Sequence, residues 1–161
     1  MAVESQISDP FFHATYDTLV EIIGGEVILG ETITHNDSEF SALGFAIVIG
    51  LTGVCQGRFI LDTTKETAIQ IAEIMNMESI NEFNDLVRST FGELANMITG
   101  SATTSLQNKG FDINISPPTM FEGNKMLIST PNWPSIIIAP INTEKGEIRV
   151  NLALGMQEES P

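Results

Sequence analysis

The chain has 161 residues, 42% hydrophobic and 17% charged, which suits one folded domain burying roughly 70% of its unfolded surface and excludes a disordered chain. Acidic residues outnumber basic ones 21 to 7, giving a net charge of −14. The seven cations (Arg58, Lys65, Arg88, Lys109, Lys125, Lys145 and Arg149) are scattered, which excludes the clustered basic surface that nucleic acid or an anionic membrane requires.

Asp9-Pro10 reads as the N-cap and first position of an opening helix, with Phe11, Phe12, Ala14, Thr15, Leu19, Ile22 and Ile23 as its apolar side and Gly24-Gly25 as its stop. His13 falls on or near that apolar side, packed or capping. Strand-like segments follow over 26–34, 42–52 and 55–61, with a polar loop over 34–39. Gly53-Val54 makes a hairpin turn between the second and third, and Gly57 hints at a bulge. Cys55, the only cysteine, lies in this turn region, permits no intrachain disulfide, and reads as structural. Asp62-Thr63-Thr64 cap a helix over 65–76, and a longer helix spans about 82–107, closed by Lys109-Gly110. Strands are expected over 112–116, 119–121 with 125–130, 135–141 and 147–154, with a hairpin loop over 142–146. Trp133 reads as a turn or strand-entry anchor. Met75, Met77, Met97, Met120 and Met126 sit among apolar neighbours and read as core. Residues 1–155 are expected to form a single domain, and 156–161 a frayed tail. The order of elements predicts an α/β sandwich with a largely antiparallel sheet. Met1-Ala2-Val3-Glu4-Ser5 lacks the basic and apolar regions of a signal peptide, and no apolar run reaches the roughly 18 residues of a membrane span. A cytoplasmic location is expected.

The long helix is the informative segment. At about 100° per residue, Phe83, Leu86, Val87, Phe91, Leu94, Met97 and Ile98 share one broad arc that should face the sheet. Glu82, Ser89, Glu93, Asn96 and Gly100 fall on the opposite side. Glu93 and Asn96 are i, i+3 neighbours, with Ser89 one turn earlier, so a carboxylate and a carboxamide stand side by side. Gly100, which costs roughly 1 kcal/mol against alanine in a helix interior, points to a packing or approach requirement. Polar residues on an exposed helical face are also ordinary, and spacing alone does not identify a catalyst.

The run from Glu93 to Ala102, with Glu followed after two residues by Asn and a Ser four residues before the Glu, resembles the signature helix of the CheC/CheX phosphatases. The continuation through Leu106, Lys109-Gly110-Phe111-Asp112-Ile113 and Ile115-Ser116-Pro117-Pro118-Thr119 is similar to that family, as is the opening through Phe12, Ala14-Thr15, Leu19, Gly25 and Val27. The family pattern has a proline some twenty residues beyond the Asn, and both Pro117 and Pro118 stand at about that separation. The first helix has Glu21-Ile22-Ile23-Gly24 without the Asn, so one site per chain fits better than an internally duplicated pair.

The resemblance implies a CheC-like sandwich, its largely antiparallel sheet packed against the long signature helix and two further helices. It also implies removal of phosphate from the aspartyl-phosphate of a CheY-like response regulator, with Asn96 and Glu93 as catalytic residues and Ser89 and Gly100 against the partner. The chain is expected to need no cofactor of its own, Mg²⁺ belonging to the regulator, and to form a homodimer. The alternative is a non-catalytic module that binds a receiver or acts in the flagellar switch, since fold does not fix function. The histidines His13 and His35 lack metal-ligand spacing, and no Walker A, dinucleotide or nucleophile-elbow motif occurs.

Overall fold

The computed structural model describes residues 3–35, 39–129 and 136–156. The elements in chain order are α1 (Val3–Ile23), β1 (Val27–Leu29), β2 (Ile33–His35), β3 (Glu39–Ser41), β4 (Phe45–Gly53), β5 (Cys55–Thr63), α2 (Lys65–Asn76), α3 (Asp85–Asn108), β6 (Ile113–Ile115), β7 (Thr119–Glu122), β8 (Leu127–Ser129), β9 (Ile136–Thr143) and β10 (Gly146–Met156).

The strand periodicity of two decides the layers. On β4 and β5, Phe45, Ile47, Ile49, Leu51, Phe59 and Leu61 alternate onto one face, joined by Ile148, Val150 and Leu152 from β10, and all are buried against the helices. The sheet runs β1-β9-β10-β5-β4-β6, with β2 also on β9 and β7 also on β4, and every pairing is antiparallel. The expected α/β sandwich with three helices is therefore present. On the other face, Phe40 of β3 and Ile128 of β8 cover Ala46, Ile60, Ile136 and Ala153.

Several boundaries differ from expectation for physical reasons. α1 starts at Val3, and Pro10 lies inside it rather than at its first turn. Proline removes one helical hydrogen bond. Burying Ile7 completely beside Phe11 holds the additional turns in the core. The segment over 26–34 splits into β1 and β2, both against β9. The polar loop over 34–39 is partly strand, Thr34 and His35 in β2 and Glu39 in β3, while Asn36, Asp37 and Ser38 lie outside the described residues. Gly57 causes no bulge, because the register of β5 with β10 runs unbroken past it and that with β4 runs unbroken up to it. A Cβ there would overlap the Ala153 carbonyl, so close approach of β10 explains the glycine. Cys55 belongs to β5 and is buried, and burial pushes its thiol pKa up. Met156 closes β10, whereas 157–161 and Trp133 lie outside the described residues. No helix among the described residues is long and apolar enough to cross a membrane.

Candidate functional site

α3 begins three residues later than the sequence predicts, because Asn84 caps it by accepting a hydrogen bond from the Val87 amide at 3.1 Å. Glu82 therefore precedes the helix and is not part of its face. Phe83 also precedes it, edge-on to Phe45 at 4.9 Å between ring centroids, with the Arg88 guanidinium over its ring at 4.9 Å. The buried stripe is Val87, Phe91, Leu94, Ala95, Ile98, Ala102 and Leu106. Leu86 and Met97, expected in the core, are instead 36% and 46% exposed. They edge an outward ridge that also carries Ser89, Glu93 and Asn96.

Glu93, Asn96 and Ser89 are all exposed, and among the described residues their side chains have no hydrogen bond or ion pair within the chain. Gly100, one turn on from Asn96, is half-buried, and a Cβ there would meet nothing within 4 Å. The expected packing reason for this glycine is thus absent inside the chain. The helix presents an unpaired carboxylate and an unpaired amide one turn apart, beside a bare stretch of backbone.

One flank of this ridge is walled by the segment leading through β7. A Cβ on Gly92, one turn before Asn96, would lie 3.0 Å from Met120 Cε and 3.9 Å from Pro118 Cγ. Of the two candidate prolines, Pro118 is the one against the helix, whereas the Pro117 carbonyl accepts from Ser116 Oγ at 3.1 Å. Arg88 fastens the same flank: Nε donates to Glu122 Oε2 at 2.9 Å, Nη2 to Glu122 Oε1 at 3.0 Å, and Nη1 to Asp85 Oδ1 at 2.8 Å. These contacts hold the Glu122 carboxyl below its usual pKa. The other flank is α1 and α2, where Asn76 Nδ2 donates to Thr90 Oγ1 at 2.8 Å.

His13 is exposed rather than packed. It lies with Asp9 and Asp17 of α1 in a shallow groove of about 370 Å³, facing Ser101, Ser105 and Lys109. Met77 is also outside the core, 90% exposed at the left-handed end of α2. No group of three or more metal-ligating side chains occurs among the described residues.

Asp62 was expected to help cap α2, but Thr64 caps it, accepting from the Thr67 amide at 3.1 Å. Asp62 instead sits on β5, fully buried, where Oδ1 accepts from the Leu43 amide at 2.9 Å and Oδ2 stands 3.9 Å from Arg149 Nε. Loss of hydration outweighs those partners and pushes its pKa up to about 6. Asn151, also buried, has no partner among the described residues for either side-chain polar atom. Alternation along β5 places Asp62 away from the helices, but nothing in the sequence shows that this face is covered.

A family model described as "Chemotaxis phosphatase CheX" matches residues 45–142, which include the whole of the α3 ridge. The CheY-P phosphatase CheX of Thermotoga maritima is 30% identical over 132 residues, covering 80% of this chain and 83% of that protein. The crystal structure of a chemotaxis protein CheX from Desulfovibrio desulfuricans superposes with a TM-score of 0.82 at 26% identity, covering 93% of this chain and 99% of that one. A chain of the CheX-CheY-BeF3-Mg²⁺ complex from Borrelia burgdorferi does so at 0.77 and 30% identity, covering 92% and 97%.

Proposed function

The chain belongs to the CheX family of chemotaxis phosphatases, and from that premise we propose that it hydrolyses the aspartyl-phosphate of a CheY-like response regulator by inserting Glu93 and Asn96 into the regulator's site. The observation that carries this reading is the exposed, unpartnered state of both side chains on one ridge. A carboxamide with no internal partner has its full hydrogen-bonding capacity available to an incoming site.

An aspartyl-phosphate is an activated acyl phosphate. Its hydrolysis forms a bond from water oxygen to phosphorus and breaks the bond from phosphorus to the carboxylate oxygen, with the water's proton passing to phosphate or solvent. Positioning and electrostatics supply most of the catalysis in phosphoryl transfer. Asn96 Oδ1 accepts a hydrogen bond from the attacking water and holds it in line with the scissile bond, while Nδ2 donates elsewhere. Glu93 is unsuited to act as the base, since a carboxylate beside a phosphoryl group is repelled unless a cation intervenes. It pairs with the receiver's lysine and fixes the register of docking. On this reading Mg²⁺ belongs to the regulator and not to this chain; the Borrelia complex contains CheX, CheY, BeF3 and Mg²⁺ together.

Ser89 and Gly100 face the partner, Gly100 leaving room for the regulator's backbone, and Leu86 and Met97 offer apolar contact at the rim. On this reading the chain is cytoplasmic and acts as a homodimer joined through strand edges, which also protects an edge from aggregation. The test is phosphate release from a phosphorylated CheY-like regulator with and without this chain. Acceleration supports the phosphatase; tight binding without acceleration would leave an interaction module.

A further inference from the structure

Asn96 stands on a ridge that its own chain does not cover, so the lateral seat of α3 decides where the amide points. Arg88, Gly92 and Asn96 are spaced by four, which puts them on one flank of the helix, rising about 6 Å per step. Pro118, Met120 and Glu122 are spaced by two along an extended segment, advancing about 6.6 Å per step. The two ladders match. Glu122 meets Arg88 through two parallel hydrogen bonds at 2.9 and 3.0 Å. Met120 fills the notch left by Gly92, and Pro118 follows it toward the turn that carries Asn96.

The pair is partly exposed, 33% for the Arg88 side chain and 38% for Glu122, so little global stability rests on it. Its geometry is nevertheless restrictive. A bidentate guanidinium–carboxylate contact fixes direction as well as distance, and Asp85 at 2.8 Å occupies the remaining side of the guanidinium. Phe83 beneath the guanidinium limits its swing.

We propose that Arg88 and Glu122 are positioning residues for the phosphatase reaction, a lateral brace that seats the Pro118–Met120 wall in the Gly92 notch and so fixes the turn carrying Asn96. This rests on Asn96 being the water-orienting group. Neither residue touches substrate; each acts through the helix.

The experiment is a double-mutant cycle with Arg88→Gln, Glu122→Gln and the double variant, with Asn96→Ala alongside. Dephosphorylation of a CheY-like regulator is measured at varied regulator concentration, and denaturant midpoints are recorded. Each single variant is expected to lower kcat about ten-fold, as small misplacements do. KM should stay within about two-fold, because docking is untouched. The midpoint should stay close to that of the parent. The double variant should be no worse than either single, since removing one partner already opens the brace. Single variants with full kcat, raised KM at unchanged kcat, or independent losses that multiply in the double variant would each overturn the proposal. Should Asn96→Ala itself retain full turnover, the catalytic reading fails. Should Asn96→Ala be inactive while the Arg88 and Glu122 variants remain fully active, only the brace fails.

Discussion

An amide does work on water only if nothing nearer satisfies it, and Asn96 meets that condition: it is exposed, with no hydrogen bond from its own chain among the described residues. Glu93, one turn away and equally free, has a different task in the proposed mechanism. Replacing it with alanine should raise KM and lower kcat together, each by about ten-fold, because it docks the helix as well as orienting it. Steady-state kinetics over regulator concentration check this, and a change confined to KM would reassign Glu93 to docking alone. Asp62 gives a separate prediction. Its folded pKa is raised to about 6, so the folded state keeps a proton that the unfolded chain has already lost. Stability therefore falls as pH rises from about 4 to about 6 and levels off above that, a penalty of about 3 kcal/mol at neutral pH. Asp62→Asn still accepts from the Leu43 amide and should abolish that penalty. Denaturation midpoints of the two proteins should coincide near pH 4 and separate above pH 6 in favour of the variant. Neither Asp62 nor the Arg88–Glu122 pair was legible in the sequence. The first depends on the Leu43 amide, 19 positions away, reaching over Asp62, and the second joins residues 34 positions apart. Glu93 and Asn96 were legible because their relation is local to one helix.

At the level of elements, the helix that carries the site depends on its first turn. Asn84→Ala removes the cap and should lower stability by about 1 kcal/mol, whereas Asn84→Asp should retain it. Urea titration of the three proteins measures both. Periodicity identified α2 at both ends and placed α3 within a few residues, since both combine an apolar stripe with a polar cap. It erred at the margins of the stripe. Leu86 and Met97 lie within the broad apolar arc, and an apolar residue at the rim of a docking ridge has the same spacing as one in the core. Pro10 misled for a related reason: its local preference favours a helix start, but complete burial of Ile7 one turn earlier prevails. The strand expected over 125–130 is β8, but the three residues of β3 are too few for alternation to register, so the layer the two form over the outer face went unseen.

For the whole molecule, a charge of −14 disfavours self-association, so a homodimer needs a specific interface. Sedimentation equilibrium should return twice the 17.5 kDa of one chain, and a mass that stays at one chain up to high concentration would remove the dimer. The sandwich holds α3 with its ridge outward, and the proposed chemistry needs only that ridge, a water and the regulator's own site. The most direct test compares Asn96→Ala with the parent chain in single-turnover dephosphorylation of a phosphorylated CheY-like regulator, scored at saturating phosphatase. The rate should drop by about 100-fold or more, with the concentration giving half-maximal rate nearly unchanged. A variant that dephosphorylates as fast as the parent would contradict the role given to this amide.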